Sequence, residues 1–500
     1  MTNQLITQIN DALWGYFLIA ILVACGLWFT WKTRGVQFRM IREMFRLLTD
    51  TATTNDQQHR HITSFQAFAV SVATRVGTGN LAGVATAIAL GGPGAVFWMW
   101  VIALIGSATA FVESTLGQLF KQRHDESYIG GPAYYILRGL HCRWLAILFA
   151  ILITITFGLS YNSIQSNTIC DAMHQAFGWN PVVVGIALSV MSLVIVFGGI
   201  HRIANVSAVV VPLMAIGYFI LAAVIVVMNI QAVPHVLKVI VTNAFGIEQS
   251  LGGALGATIM NGVKRGLFSN EAGEGSAPNV AATAAVSHPV KQGLIQALGV
   301  FTDTLLVCSC TAFVILISGL YSDPELNGIA LTQAALSNEI GAFGPPFIAL
   351  AIFLFAASSI IGNYYYGEAN IRFLTSTIIP HPSARPRSNL FARHFENRTL
   401  DPSRAPTLHP SSFILTIYRI FSGGVMVMFG ALVSLEVVWN LGDLCMALLT
   451  ACNLVAIIAL GKYAFRLLDD YRRQKRNGIK EPVFHRSQLP EIEQDIDCWE

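Results

Sequence analysis

An all-α, polytopic membrane protein of about 11 transmembrane helices is predicted by three observations. Hydrophobic residues make up 54% of the 500-residue chain, only 12% are charged, and the apolar residues fall in continuous runs rather than in alternation. Soluble chains carry about 25% charged residues. The deficit, with a mean hydropathy of +0.57, excludes a cytosolic globular enzyme. Strands of a membrane barrel would alternate in segments of about ten residues, so the spans are helical. The balance of 31 Lys+Arg against 28 Asp+Glu gives no reason to expect a nucleic-acid partner; the partner it does imply is the lipid bilayer.

Crossing a hydrocarbon core takes about 20 residues at about 1.5 Å each. Runs of that kind lie at 13–31, 64–90, 95–120, 143–165, 181–198, 206–229, 245–287 (long and interrupted), 293–319, 346–373, 413–439 and 441–460. The first contains Leu22-Val23-Ala24-Cys25, which is similar to a lipoprotein cleavage box, but no Lys or Arg precedes it and Asp11 does. It is kept as a span.

Basic loops stay on the cytoplasmic side. Six Lys or Arg fall in 32–62, four in 121–143, six in 372–410 and eight from Lys462 onward, whereas 91–94, 166–180 and 321–344 have none. An external N-terminus and a cytoplasmic C-terminus satisfy this pattern, with only Lys238 outside. The chain then divides into an extra N-terminal helix (1–31), a basic cytoplasmic segment (32–62), a first five-helix repeat (63–230), a second (240–461) containing a cytoplasmic loop (374–411), and a tail (462–500). The Pro-rich stretch 380–410 and the tail from Asp469 read as solvated.

Cys25, Cys142, Cys170, Cys308, Cys310, Cys445, Cys452 and Cys498 show no metal-ligand spacing and read as packing residues. The histidines, among them His59, His61, His124, His141, His381 and His394, sit mostly in loops and give no convergent ligand set.

Two interruptions carry the functional signal, because an unsatisfied backbone group in hydrocarbon costs several kcal/mol. In the second span, Val72-Ala73-Thr74-Arg75-Val76-Gly77-Thr78-Gly79-Asn80-Leu81-Ala82-Gly83 places two glycines one residue apart ahead of Asn80, which can cap a restarting helix. Gly79 and Gly83 equally suit close helix packing. The polar Arg75, Thr78 and Asn80 favour a break, with Arg75 facing protein or water. In the seventh span Lys264, Arg265, Glu271 and Glu274 fall within eleven residues, so the run is either a broken helix or two short helices joined by a loop. There Ser269 and Asn270 ahead of the two acids look like an N-cap with an acidic first turn. Setting the first span aside, the two breaks open spans one to five and six to ten. An odd number of crossings inverts the second half, as in secondary transporters, and the binding site is expected between the breaks.

The chain resembles the alanine or glycine:cation symporter family, the sodium-coupled alanine carriers, at several blocks. These are Val76-Gly77-Thr78-Gly79-Asn80, Gly91-Gly92-Pro93-Gly94-Ala95-Val96-Phe97-Trp98-Met99-Trp100, Gly130-Gly131-Pro132-Ala133-Tyr134-Tyr135, and the run from Gly266-Leu267-Phe268-Ser269-Asn270-Glu271 to Ala272-Gly273-Glu274-Gly275-Ser276-Ala277-Pro278. The likeness extends from about Leu13 to Glu481-Pro482-Val483-Phe484. It implies a leucine-transporter-like fold, a 5+5 inverted repeat plus one extra N-terminal helix.

A zwitterion needs N–H donors for its carboxylate and oxygens for its ammonium, and an unwound helix offers both. The restarted half-helix presents free N–H groups and about +0.5 charge, suiting a carboxylate at Thr78, Gly79 and Asn80. The resemblance implies the same contact, and it implies a sodium ion, the coupling cofactor, at the Ala73 and Val76 carbonyls with the Ser358 and Ser359 hydroxyls. Bonding of those hydroxyls to their own helix is the plainer alternative. Asp303, an intramembrane carboxylate, partners Arg75 or serves a second cation site. Gln165, four residues from Tyr161 at the end of the fourth span, which the resemblance places along the substrate pocket, is read as a substrate contact, with a plain interhelical hydrogen bond as the alternative. Asn363 stands in Gly362-Asn363-Tyr364-Tyr365-Tyr366-Gly367-Glu368 where many relatives have Trp, so it bears on selectivity.

The expected function is sodium-coupled uptake of small neutral amino acids, alanine or glycine, by alternating access in a bacterial inner membrane. A proton-coupled carrier, an amino-acid sensor or channel, and an intramembrane enzyme are the competitors; the scattered His and Cys argue against the enzyme.

Overall fold

The computed structural model describes residues 2–50, 62–124, 127–197, 199–246, 252–378 and 410–499. His59, His61, His381, His394 and nearly all of the predicted 380–410 loop lie outside them.

Helices dominate. Among the described residues seven are long and apolar enough to cross a membrane, and an eighth if the bent pair Ala215–Met228 and Val233–Ala244 counts as one span. An N-terminal stretch ends in α1 (Ile19–Lys32), and α2 (Ile41–Leu48) follows it. The first interrupted helix is α3 (Ser64–Arg75), a π-helical turn (Gly79–Gly83) and α4 (Val84–Gly91). Next come α5 (Ala95–Leu119), a two-stranded antiparallel hairpin (Gln122–His124 with Ser127–Ile129) and α6 (Pro132–Gly139). α7 (Arg143–Ile155) passes through a π-helical segment (Thr156–Tyr161) into α8 (Asn162–Phe177), and α9 (Pro181–Val196), α10 (Gly199–Met228) and α11 (Val233–Ala244) complete the first half.

The second interrupted helix is α12 (Gly252–Asn270) with α13 (Ala277–Ala281). α14 (Pro289–Val300) continues through a π-helical segment (Phe301–Cys308) into α15 (Ser309–Ser318), followed by α16 (Gly328–Ile340) and α17 (Gly344–Ile378). The chain ends with α18 (Pro410–Ile420), a π-helical turn, α19 (Met426–Leu432) and α20 (Leu435–Arg476).

Local signals explain several starts. Thr63 and Gln66 form a reciprocal capping box on α3. Asn180 and His288 accept from the N–H groups of Val182 and Val290, each followed by a first-turn proline.

Several predicted boundaries are corrected. The fourth span runs on to Phe177, so Tyr161 and Gln165 lie in mid-helix rather than at its end. The stretches 166–180 and 321–344 are largely helical, not plain loops. Trp439 belongs to the last helix, because Val433 turns extended and ends α19. Hydropathy alone misses these points, since polar residues within a helix lower its average and a short break between two apolar helices leaves it high.

The two interrupted helices are the interior of the molecule: residues 69–88 and 261–286 are all buried. By contrast α9 and α10 expose Val183, Ile186, Val190, Leu213, Ile216, Ile220 and Val227. Apolar side chains face outward and polar ones inward, as lipid demands of a bundle.

The tail is not the solvated appendage its charge suggests. Phe484, Leu489, Ile492, Ile496 and Trp499 are buried, and the Phe484 N–H donates to the Ser287 carbonyl at 2.9 Å. Trp499 Nε1 donates to the Gln118 and Leu119 carbonyls. His288, fully buried, stacks edge-on against Tyr471 and Phe484, so it too departs from the solvated reading of the histidines. Apolar residues spaced among the charges cover the helix ends.

Candidate functional site

α3 ends at Arg75. Val76 turns extended (φ −75°, ψ 98°), Gly77 is non-helical, and the chain restarts at Thr78. The break falls where the paired glycines predict it. A Cβ at position 77 would lie 2.5 Å from Ser359 Oγ and 2.8 Å from Gln165 Oε1, so glycine there lets both side chains approach the break. Gly79 serves the packing role as well, since a Cβ on it would meet Ser269 Cα at 3.0 Å.

Gln165 reaches the break from α8. Its Oε1 accepts from the Thr78 N–H at 3.0 Å and from Thr78 Oγ1 at 2.7 Å. An amide oxygen thus stands at the positive end of the restarted helix.

The expectation that Asn80 caps the restarted helix is corrected. Its Oδ1 accepts from the Gly77 N–H at 2.9 Å, reaching back across the break, while the capping position, Thr78, makes no side-chain cap. Asn80 Nδ2 donates to Asp303 Oδ1 at 2.7 Å and to Cys308 Sγ at 3.2 Å. Asp303 Oδ2 also accepts from Ser269 Oγ (2.7 Å) and Thr304 Oγ1 (2.9 Å). Both interrupted helices are therefore tied to one carboxylate on the π-helical segment after α14, and Cys308 is more than packing.

Arg75 is no ion-pair partner of Asp303. Its Nη1 donates to the Gln296 carbonyl at 3.2 Å, and its Nε and Nη2 have no hydrogen-bond partner. The guanidinium lies against Gly299, where a Cβ would come within 2.3 Å of Nη1, so it occupies the turn of α14 before Asp303.

The predicted oxygens come together. Ser359 Oγ lies 2.9 Å from the Ala73 carbonyl and 3.4 Å from that of Val76, and Ser358 Oγ lies 3.5 Å from Ala73 O. Both hydroxyls also meet the Phe355 carbonyl of their own helix, at 2.7 Å for Ser358 and 3.1 Å for Ser359. Both alternatives raised for these serines are present in one arrangement.

The second break spans Glu271 to Ser276. Ser269 and Asn270 close α12 instead of capping a new helix, which corrects the sequence reading. Glu271 (φ 55°), Gly273 (φ 99°) and Gly275 (φ 81°) adopt left-handed backbone that a helix cannot continue through. Asn270 Oδ1 accepts locally from the Ala272 N–H and Glu271 Oε2 from Ser276 Oγ, so neither reaches the first break through these bonds. Lys264 and Arg265 lie in unbroken helix, Arg265 bidentate on Asp443 at 2.9 and 2.8 Å and Lys264 at 3.3 Å.

Glu113, which the sequence reading passed over, completes the frame together with residues it had named. Glu113 accepts from the Gly273 and Gly275 N–H groups (3.2 Å each) and from Asn453 Nδ2 (2.9 Å). A lone acid in an apolar span was the available signal. Tyr161 donates to Glu274 Oε2 at 3.1 Å and begins an aromatic chain through Phe268 to Trp439, over which Arg265 sits. Asn363 is buried with both amide atoms unpartnered.

This pair of broken helices belongs to a chain whose residues 1–384 and 398–486 match the model of the sodium:alanine symporter family. The chain belongs to that family. A protein of Bacillus subtilis (strain 168) named as a probable sodium/glutamine symporter is 47% identical over 98% of this chain and 94% of its own length. The amino-acid carrier protein AlsT of the same organism is 47% identical over 100% and 98%. A sodium/proton-dependent alanine carrier protein of Bacillus sp. (strain PS3) is 36% identical over 85% and 91%. Among solved structures, a manganese transporter of Eremococcus coleocola gives a TM-score of 0.46 at 13% identity, covering 84% of each chain. As a family member the chain is a multi-pass secondary transporter of amino acids that uses a coupling cation, and not an enzyme.

Proposed function

We propose that this symporter couples the entry of Na⁺ to uptake of a small neutral amino acid, alanine or glycine, across a bacterial inner membrane. The single observation that carries the proposal is the conjunction at one break. The Ala73 and Val76 carbonyls meet two hydroxyls on one side, and doubled donors of Thr78 point to an acceptor on the other. Four converging oxygens suit a hard cation, as freed carbonyls do in broken transporter helices. The amide oxygen of Gln165 holds the place a substrate carboxylate would take, with Thr78, Gly79 and Asn80 forming the helix start.

Five helices opened by each break make two repeats of opposite orientation, the N-terminus outside and the basic loops and tail in the cytoplasm. Asp303 holds Asn80 and Ser269 in register as the repeats rock. One Na⁺ moving down about 100 mV supplies ~2.3 kcal/mol, and a tenfold gradient adds ~1.4 kcal/mol, enough for several-hundredfold accumulation of a zwitterion.

Uptake of labelled alanine into proteoliposomes, with Na⁺, Li⁺ and pH gradients imposed one at a time, tests this. Accumulation driven by Na⁺ alone is expected. Accumulation driven only by the pH gradient would replace Na⁺ by H⁺, and flux without accumulation would make the protein a channel.

A further inference from the structure

The first span ends in an elbow. Thr33 closes α1, Arg34 (φ 55°) and Gly35 (φ 66°) take left-handed backbone, and the chain turns into a helical turn (Val36–Arg39) followed by α2. This stretch has two apolar faces. Inward, Val36, Met44 and Leu47 are fully buried, and Gln37 Nε2 donates to Thr30 Oγ1 at 2.9 Å and to the Leu104 carbonyl at 3.2 Å. Outward, Phe38, Ile41 and Phe45 are 53%, 41% and 58% exposed, and Trp31 in the last turn of the span is 70% exposed. Water would penalise such a strip. An elbow beside the end of a span lies at the membrane surface, where an amphipathic helix buries its outer strip among acyl chains and tryptophan is enriched.

The basic residues of the stretch divide in the same way. Arg46, turned towards the protein, pairs with Glu43 and with Glu481 at 2.8 Å each. Arg34, Arg39 and Arg42 are exposed and enter no ion pair among the described residues. Arg472 of α20 shows where they gather. Its Nη2 donates to the Thr33 carbonyl at 2.9 Å, at the elbow itself, and it feels the repulsion of Arg39, Arg34 and Arg476 against the attraction of Asp469. Like charges crowded together call for a counter-charge. The segments outside the described residues on this side do not bring a surplus of it: 51–61 holds Asp56 with Arg60, and 379–409 holds Glu396 and Asp401 with five arginines.

We propose that this elbow binds an anionic phospholipid, with its phosphate among Arg34, Arg39 and Arg472 and its acyl chains against Trp31, Phe38 and Phe45. On the orientation proposed above, the lipid belongs to the cytoplasmic leaflet. Guanidinium groups hold phosphate oxygens through paired N–H donors, and each basic group near an anionic surface adds to the attraction. Free phosphate would answer the arginines and leave the apolar strip bare. A zwitterionic headgroup carries its own ammonium, which offsets most of the attraction. An anionic lipid answers both the charge and the strip at once.

The test is lipid retention by the whole carrier in detergent, read by native mass spectrometry, with phosphatidylglycerol and phosphatidylcholine of the same acyl chains offered in equal amounts. Retention is independent of transport, so the result does not hinge on the substrate. The wild type should hold phosphatidylglycerol about fivefold or more over phosphatidylcholine. With Arg34→Gln, Arg39→Gln and Arg42→Gln combined, that ratio should fall about threefold or more, while the corresponding three Lys substitutions should keep most of it. Arg466→Gln, Arg473→Gln and Arg486→Gln combined remove the same charge from arginines that already face Glu491, Asp470 and Glu493, and should leave the ratio as in the wild type. A wild-type ratio near one, an undiminished ratio in the elbow variant, or an equal loss in the paired-arginine variant would overturn the proposal. So would displacement of the lipid by inorganic phosphate, which would make the arginines a phosphate site only. An elbow variant that fails to fold would also overturn it, because these exposed side chains would then be holding the protein together and not a lipid.

Discussion

Gln165 and Thr78 are joined by two hydrogen bonds to a single atom: the Thr78 N–H and hydroxyl both donate to Gln165 Oε1, at 3.0 and 2.7 Å. The bonds connect a residue of the long fourth span to the first residue after the break, so on the proposed reading a carboxylate takes these donors only if Gln165 moves. Thr78→Val removes one donor while keeping shape. Alanine affinity, measured by scintillation proximity or uptake competition, should fall about tenfold, the loss of one hydrogen bond to a charged group, with the melting temperature little changed. Unchanged affinity would move the carboxylate elsewhere.

The serine pair gives a separate test through the ion. Ser358→Ala with Ser359→Ala deletes both hydroxyls that face the Ala73 carbonyl. The Na⁺ concentration for half-maximal uptake should rise severalfold or more, and the alanine dependence at saturating Na⁺ should shift less. An unaltered sodium curve would remove these hydroxyls from the ion site.

Asp303 receives Asn80, Ser269 and Thr304. Asp303→Asn keeps the size but exchanges an acceptor for an NH₂ group, leaving one of three buried donors facing another donor. Uptake should fall at least tenfold, with a melting point lower by several degrees. Asp303→Glu should recover part of the stability. Wild-type uptake in Asp303→Asn would show that the carboxylate is not what holds the two breaks in register.

Acid should loosen the contact between α2 and the end of α20. Partial burial opposes the charge on Glu43, but hydrogen bonds from Arg46, Lys475 and Tyr471 outweigh it and hold the carboxyl down at about 2. A lowered folded pKa means stability present above the ordinary value of 4.5 and lost as pH falls from there towards 2. The melting temperature of the solubilised carrier should decline through that window, and Glu43→Gln should flatten part of the decline. An identical slope in the variant would show that the ties from α2 to Lys475 and Tyr471 carry none of the acid sensitivity.

The sequence by itself determined the class and the first break, whereas the oxygens around the break came from its resemblance to a known family. Those signals are local: charge is expensive in lipid, and glycines next to polar residues mark where a membrane helix gives way. The second break was visible only as an anomaly of charge. Its position after Asn270 depends on left-handed backbone at Glu271, which no periodicity reveals. Tertiary structure alone decided which partner each polar residue takes. Asn80 turns back to Gly77 and across to Asp303, Arg75 lies against Gly299, and Glu113 receives the amides of the second break. The tail packs its apolar residues where a string of charges promised water. The physical reason is range. The cost of burying a polar group is a property of the residue and its neighbours in sequence, whereas the bond that offsets it comes from a helix up to several hundred residues away, and only packing brings the two within three ångströms.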